Sequence, residues 1–168
     1  VTQATADKLG IKTLSDLKGK SQDLVVSGGP ECRQRPDCLV GLQKTYGLKF
    51  KKFLSIDLAK RHEVIVNGQS DVGLVFTTDG QIAADKLVVL EDDKGLQNAD
   101  NIIPAVNKAA ATAHPSIVEL LDTVSAALAT DKTIELNKAV DIARKTSREG
   151  SAQFVDADRH VVDVDEAE

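Results

Sequence analysis

Short apolar runs separated by polar turns occupy the first half of the chain, and longer apolar stripes at helical spacing occupy the second. Residues 24–27 (LVVS) form a short run, apolar up to Ser27, between polar flanks, the pattern of a short buried strand. A polar loop opening with Gly28 and Gly29 follows, and then Leu39, Leu42 and Tyr46 fall at helical spacing. Pro36 and Asp37 mark the start of that helix and Gly47 its end. Ahead of this stretch, residues 4–9 read as a helical turn and residues 13–19 as a short helix, with Thr13 as N-cap and Asp16 three residues on. Behind it, residues 48–56 are a β-like run, residues 57–66 a helix and residues 71–76 a buried strand. Alternation of strand and helix implies a parallel sheet covered on both faces.

From Lys86 the pattern restarts. Residues 87–90 read as a strand, 91–95 as a charged turn and 102–106 as another strand. A helix with Pro115 in its first turn carries Ile117, Leu120, Leu121, Val124 and Leu128 along one face. A second helix, capped by Thr130 or Asp131, carries Leu136, Ala139, Val140 and Ala143. Residues 156–168 are mostly charged and read as a loosely held acidic tail.

Composition narrows the function. The 168 residues hold 42% apolar side chains, enough for a real core in one domain or one and a half small lobes. A formal net charge of −5 and the lack of a Lys/Arg stripe with interleaved aromatics speak against a nucleic-acid surface. The aromatic residues are Tyr46, Phe50, Phe53, Phe76 and Phe154, too few for this segment alone to build a box of rings. No run reaches the length of a membrane span, and no signal peptide is present. A chain that begins at Val1 and has no methionine is expected to be processed or excised from something longer. No dinucleotide fingerprint, phosphate-binding loop, nucleophile elbow or zinc-protease motif is present, and the acidic run 91–95 lacks the carboxylate spacing of a calcium loop. The reading is therefore not an enzyme, with no cofactor and no metal.

Two stretches carry candidate chemistry. In the first, Gly28 and Gly29 are expected to permit backbone angles that a side chain forbids, exposing bare N–H groups to a small ligand. Arg33 and Arg35 stand just ahead of the helix N-terminus, where the macrodipole favours anions. Two readings compete: local charge balance by Glu31 and Asp37, or a receptor for a ligand carboxylate. Cys32 and Cys38 suit a small disulfide loop, two free thiols or, least well, a metal, since His62, His114 and His160 lack ligand spacing. A disulfide implies a compartment outside the cytoplasm. The second stretch, Thr77, Thr78, Asp79 and Gly80, leaves the carboxyl end of a strand, where open α/β sheets bind ligands; a plain strand-to-helix turn is the competing reading.

The ordered set TLSDLKGK, GGPECxxRPDxxxGLQKTYG, VNGQSDVGLVFTTDGQI, LVVLEDDKG, the lone Pro104, AHPSIVELL and ELNKAVD resembles the substrate-binding proteins of osmoprotectant (glycine betaine, choline, carnitine) ABC importers, from residue 1 to about 155. The resemblance implies a type II periplasmic-binding-protein fold, a parallel-type sheet flanked by helices. It also implies a receptor that hands its ligand to a membrane permease from an extracytoplasmic position, as a lipoprotein or fused to the permease. On this basis residues 1–80 form the second lobe, 81–155 the returning segment of a first lobe whose N-terminal half is absent, and 156–168 the tail. Arg35 matches a ligand-carboxylate arginine of the family. Phe76 and Asp100 match tyrosines of a cation cage; Phe76 keeps the ring without the hydroxyl, and Asp100 replaces the ring with a carboxylate. The expected ligand is a small zwitterion or quaternary amine. The alternative reading is the effector-sensing domain of a cytosolic transcription regulator. Apolar surface left by the missing half is expected to pack back on the first 80 residues or to pair with a second copy, a homodimer, with weak or no ligand binding by the excised chain.

Overall fold

The computed structural model describes residues 1–98 and 100–157 and divides into two compact units. The first comprises Val1–Thr77 and Gln81–Ala99; the second comprises Thr78–Gly80 and the chain from Asp100 onward. Residues 78–80 thus group with the second unit and residues 81–99 with the first.

The first unit is built on β1 (Val25–Gly28), whose Val26 and Ser27 are both 1% exposed. Strands β2 (Lys52–Ser55) and β3 (Val72–Gly73) flank it in parallel, giving the order β2-β1-β3. Register pairs Val26 with Phe53 on one side and with Val72 on the other. Side chains finish what so short a ladder leaves open. The Asp71 carboxylate accepts the Val25 N–H at 2.8 Å, and the buried Ser70 hydroxyl donates to the Val72 carbonyl at 2.7 Å. The expected strand 71–76 is regular for only two residues, because β1, its neighbour, ends at Gly28 and offers nothing to pair beyond it.

Helices cover this sheet. Helix α1 (Gln3–Leu9) is capped by the Thr2 hydroxyl, which accepts the Thr5 N–H at 3.1 Å. The expected helix 13–19 is a single 3-10 turn, Ser15–Leu17, ended early by Gly19 at φ 79°. Its capping is nonetheless reciprocal: Thr13 Oγ1 accepts the Asp16 N–H at 3.3 Å, and the Asp16 carboxylate accepts the Thr13 N–H at 2.9 Å. Leu17, fully buried, is the residue this turn delivers to the core. Helix α2 (Leu39–Thr45) starts later than Pro36, which belongs to a turn. At Gly41 a side chain is impossible, since a Cβ would lie 2.1 Å from the Pro36 carbonyl oxygen and 2.4 Å from Leu96 Cδ1. The expected helix 57–66 is split into a 3-10 turn, Leu58–Lys60, capped by Asp57, and α3 (Glu63–Val66), which buries Val64 and Ile65. A short α4 (Gln81–Ala84) completes the unit.

Residues 87–90 do not join the sheet. They pair instead with the N-terminal segment, through the bridges Thr2 to Leu87 and Thr13 to Glu91 and the Val88 N–H on the Val1 carbonyl at 2.8 Å. An extended run needs a free edge, and the one within reach belongs to the N-terminal segment.

The second unit is helical. It holds α5 (Lys108–Ala113), α6 (Ser116–Ala127), α7 (Thr130–Asp141) and α8 (Ser147–Ala157). The expected strand 102–106 is irregular, with Ile102 73% and Ile103 76% exposed, as no strand of the unit stands ready to pair with it among the described residues. Helix α7 has no side-chain cap; Thr130 and Asp131 lie inside its first turn, where the Asp131 charge favours the dipole. Helix α8, not expected from the sequence, starts with a capping box in which Thr146 Oγ1 accepts the Glu149 N–H at 3.2 Å and the Glu149 carboxylate accepts the Thr146 N–H at 2.7 Å. Asp156, expected at the head of a tail, lies in α8, and the rest of that tail, 158–168, lies outside the described residues. Every buried apolar side chain among the described residues falls between Val1 and Val72. Among the described residues the second unit has amphipathic helices and no fully buried apolar side chain.

Candidate functional site

The loop after β1 is shaped by close packing rather than by unusual backbone angles. Neither Gly28 nor Gly29 has a positive φ; Gly29 sits at φ −58°. The expectation that their value is conformational freedom is therefore corrected to one of space. A Cβ on Gly28 would lie 2.7 Å from Leu74 Cδ1 and 3.3 Å from Cys32 Sγ, and one on Gly29 would meet the Glu31 carboxylate at 2.3 Å. The chain then makes a 3-10 turn, Pro30–Arg33, and Cys32 is bonded to Cys38 with their Cα atoms 5.2 Å apart. Both cysteines are buried, and residues 33–37 bow outward between them. In the chain-entropy account, closing a ring this small stabilises by about 2 kcal/mol. Reduction, or the Cys32→Ser/Cys38→Ser pair, is expected to lower the unfolding free energy by about that amount, read from urea midpoints with and without reductant. An unmoved midpoint would mean that packing alone holds the loop.

The two arginines of the loop have different partners. Arg33 reaches across to β2: its guanidinium carbon lies 4.7 Å from the centre of the Phe53 ring, and Nη2 donates to the Phe53 carbonyl at 3.4 Å. Arg35 forms a two-pronged pair with Asp37, Nε to Oδ1 at 2.9 Å and Nη2 to Oδ2, on an exposed surface. The guanidinium of Arg35 holds the Asp37 carboxyl below the usual carboxylate range. Asp37 thus supplies charge balance for Arg35. The Arg35 fork is engaged by a carboxylate of its own loop.

The loop is braced from the distant turn 91–97. Gln97 Nε2 donates to the Asp37 carbonyl, and Leu96 packs on Gly41. Tyr46, at the end of α2 and 2% exposed, donates its hydroxyl to the Asp92 carboxylate and accepts the Lys94 N–H at 2.7 Å. Burial, with the Asp92 carboxylate beside it, pushes the Tyr46 phenol up to about 12. Burial works to raise Asp92 as well, but the Gln97 N–H and the Tyr46 hydroxyl override it and leave Asp92 below the usual range. These braces span 46 to 60 residues of chain, so no local pattern in the sequence points to them.

Beside the loop, at the carboxyl ends of β1 and β2, Pro30, Glu31, Ser55, Ile56, Asp57 and Leu58 line an open groove of about 530 Å³. Arg61 donates Nη1 to the carbonyl of Leu58 at 2.6 Å and lays its guanidinium 5.4 Å from the centre of the Phe76 ring. Phe76 is 52% exposed. Gly28 ends β1, Gly29 and Arg35 belong to the loop that follows it, and Phe76 and Thr77 follow β3 in the same unit. Thr78, Asp79 and Asp100 belong to the second unit. There the Thr78 carbonyl accepts Asn137 Nδ2 at 2.9 Å, Asp79 is buried, and Gly80 lies so close to α7 that a Cβ would come within 3.1 Å of Lys138 Cα. Asp100 is exposed. Sequence reasoning missed Arg61, Gln97 and the Tyr46–Asp92 pair. Among the described residues no group of three or more His, Cys, Asp or Glu is placed to hold a metal ion.

Comparison with known proteins matches residues 1–157 to the family described as the substrate binding domain of ABC-type glycine betaine transport system. A glycine-betaine-binding protein of Pseudomonas aeruginosa is 32% identical over 170 residues, which cover 94% of this chain and 54% of that protein. An ergothioneine transport permease/ergothioneine binding protein of Helicobacter pylori is 26% identical over 156 residues, 93% of this chain and 28% of that protein. A crystal structure of a glycine betaine/carnitine/choline ABC transporter superposes with a TM-score of 0.75 at 25% identity, covering 96% of this chain and 59% of the other. The chain spans about half the length of the first of these relatives and less of the second.

Proposed function

Because the chain belongs to the substrate-binding domains of ABC-type glycine betaine transport systems, we propose that it serves a solute receptor that binds a small zwitterion or quaternary amine and delivers it to a membrane permease. The family match over the described chain carries this reading, and the exposed Arg35 fork, in the same loop as the groove residues Pro30 and Glu31, supports it. In it, Arg35 takes the ligand carboxylate, the Phe76 ring faces the cationic end, and Gly28, Gly29, Thr77, Thr78, Asp79 and Asp100 complete the surroundings. Residues 1–80 act as one lobe and 81–155 as the returning part of the other. The bonded Cys32 and Cys38 favour an oxidising setting outside the cytoplasm. No described helix is long and apolar enough to cross a membrane. The regulator reading is not favoured, since the relatives above are named for transport or ligand binding.

The test is titration calorimetry with glycine betaine, choline and carnitine on the protein as its gene encodes it. Saturable binding of one of them at micromolar concentration is the expected outcome. No heat and no thermal shift with any of the three at millimolar concentration would reject the reading. The exposed Ile102, Ile103, Val118 and Leu120 of the second unit motivate a further part of it, pairing of two copies of the 168-residue chain. Light scattering that finds only monomer at micromolar concentration removes that part.

A further inference from the structure

Lys49, Lys51 and Lys52 are exposed, whereas Phe50 and Phe53 turn inward and pack on the core cluster. The stretch is held at the amino end of the sheet. There the Lys49 N–H donates to Ser21 Oγ at 3.0 Å, the Lys51 N–H donates to the Leu24 carbonyl at 2.9 Å, and Lys52 opens β2 in register with Val25. Strand β2 lies on the outside of the three, with no further strand beyond it among the described residues. None of the three ammonium groups has an ion pair among the described residues. The Asp71 carboxylate at this end of the sheet accepts the Val25 N–H, and the exposed Asp23 pairs with none of the three. Unneutralised positive charge is thus concentrated on one edge of a chain whose formal net charge is −5.

We infer that Lys49, Lys51 and Lys52 form a docking surface for the anionic headgroups of a lipid bilayer. The membrane setting rests on the receptor reading given above. A single lysine is enough to keep so short an edge from pairing with a stray strand, and two of these lysines precede the strand. A second copy laid along the same edge would set lysine against lysine, which repels. Ammonium groups on flexible stems are point charges without a fixed fork, suited to a fluid array of phosphates rather than to a shaped acidic pocket. Lysine is also depleted at the centres of protein interfaces. The negative remainder of the chain does not cancel the attraction, because at about 0.1 M salt a charge is felt over about 10 Å and only the face against the lipid counts. The groove that includes Pro30, Glu31 and Ser55 lies at the carboxyl ends of β1 and β2, the other end of these strands, so docking leaves it open to solvent.

The test is flotation of the protein as its gene encodes it with vesicles of phosphatidylcholine, alone or with about 30% phosphatidylglycerol to supply negative headgroups. Comparing the two removes any binding that ignores headgroup charge. Preference for the charged vesicles is expected, and it should vanish at about 1 M salt, where the screening length falls to about 3 Å. The triple variant Lys49→Gln/Lys51→Gln/Lys52→Gln is expected to bind them roughly tenfold more weakly or worse. Lys86→Gln/Lys108→Gln/Arg148→Gln removes as much charge at exposed positions elsewhere and should stay within about twofold of the unaltered protein. Equal binding to both kinds of vesicle overturns the inference, as does an unchanged first variant or an equal loss in the two variants, which would make net charge the cause. Retention on polyglutamate through the same lysines, without vesicle binding, also overturns it and makes the partner an acidic polypeptide. The assay needs no solute, so its failure leaves the receptor reading standing, and failure to bind any osmoprotectant strikes that reading while the vesicles still decide the role of the lysines.

Discussion

Tyr46→Ala is expected to lower the free energy of unfolding by about 3 to 5 kcal/mol, the range for removing a large buried ring from a packed core. Tyr46 is 2% exposed and sits in the core cluster with Leu17, Leu42 and Leu48. Its loss also strips the Asp92 carboxylate of a hydroxyl donor and the Lys94 N–H of its acceptor. Tyr46→Phe separates the two contributions, keeping the ring and deleting the hydroxyl, and is expected to cost roughly 1.5 to 3 kcal/mol, as for a hydrogen bond to a charged group. The phenol adds a signature in pH. Its folded value of about 12 lies above the reference of 10.0, so between these values the native state holds the proton more firmly than the unfolded chain. Stability from this group is complete below pH 10 and falls as pH rises through about 12, by roughly 2 to 3 kcal/mol at 1.36 kcal/mol per unit. Urea denaturation at pH 9 and pH 11.5 reads this slope, and Tyr46→Phe should flatten it. An equal slope in both proteins would assign alkaline loss to other groups.

Arg35→Ala is expected to weaken binding of a carboxylate-bearing ligand roughly ten- to a hundredfold, the equivalent of one charge-assisted hydrogen-bonding interaction of about 1.5 to 3 kcal/mol. Arg33→Ala should change affinity less than twofold, because that side chain is spent on the Phe53 ring and carbonyl. The asymmetry is the content of the prediction. Arg33 ends the 3-10 turn and Arg35 follows it by two residues, and a loop acting only through its net charge would respond equally to either change. Calorimetry with glycine betaine on the protein as its gene encodes it decides. An unchanged Arg35→Ala beside a crippled Arg33→Ala would reverse the assignment.

Local patterns in the sequence carried those parts of the fold that depend on neighbours in the chain. The short run 24–27 lies within or beside β1 because a fully buried strand admits no polar face. Pro115 and the stripe from Ile117 to Leu128 correspond to α6, and the Thr13–Asp16 capping pair is present although its helix shrinks to one turn. Spacing left three states open for Cys32 and Cys38, and only the approach of their Cα atoms to 5.2 Å joins them. Periodicity says which side of an element is buried, not what it meets. For that reason the pairing of 87–90 with the N-terminal segment, the two-residue length of β3 and the irregular course of 102–106 were not legible. The loop follows the same logic. Gly28 and Gly29 were visible as glycines, but whether they relieve an angle or make room depends on Leu74, Cys32 and Glu31 folding back on them. That Arg35 forks on Asp37 while Arg33 turns to Phe53, and that Arg61 covers Phe76, is decided by side-chain direction across 2 to 20 residues, after the backbone has set each Cβ in place.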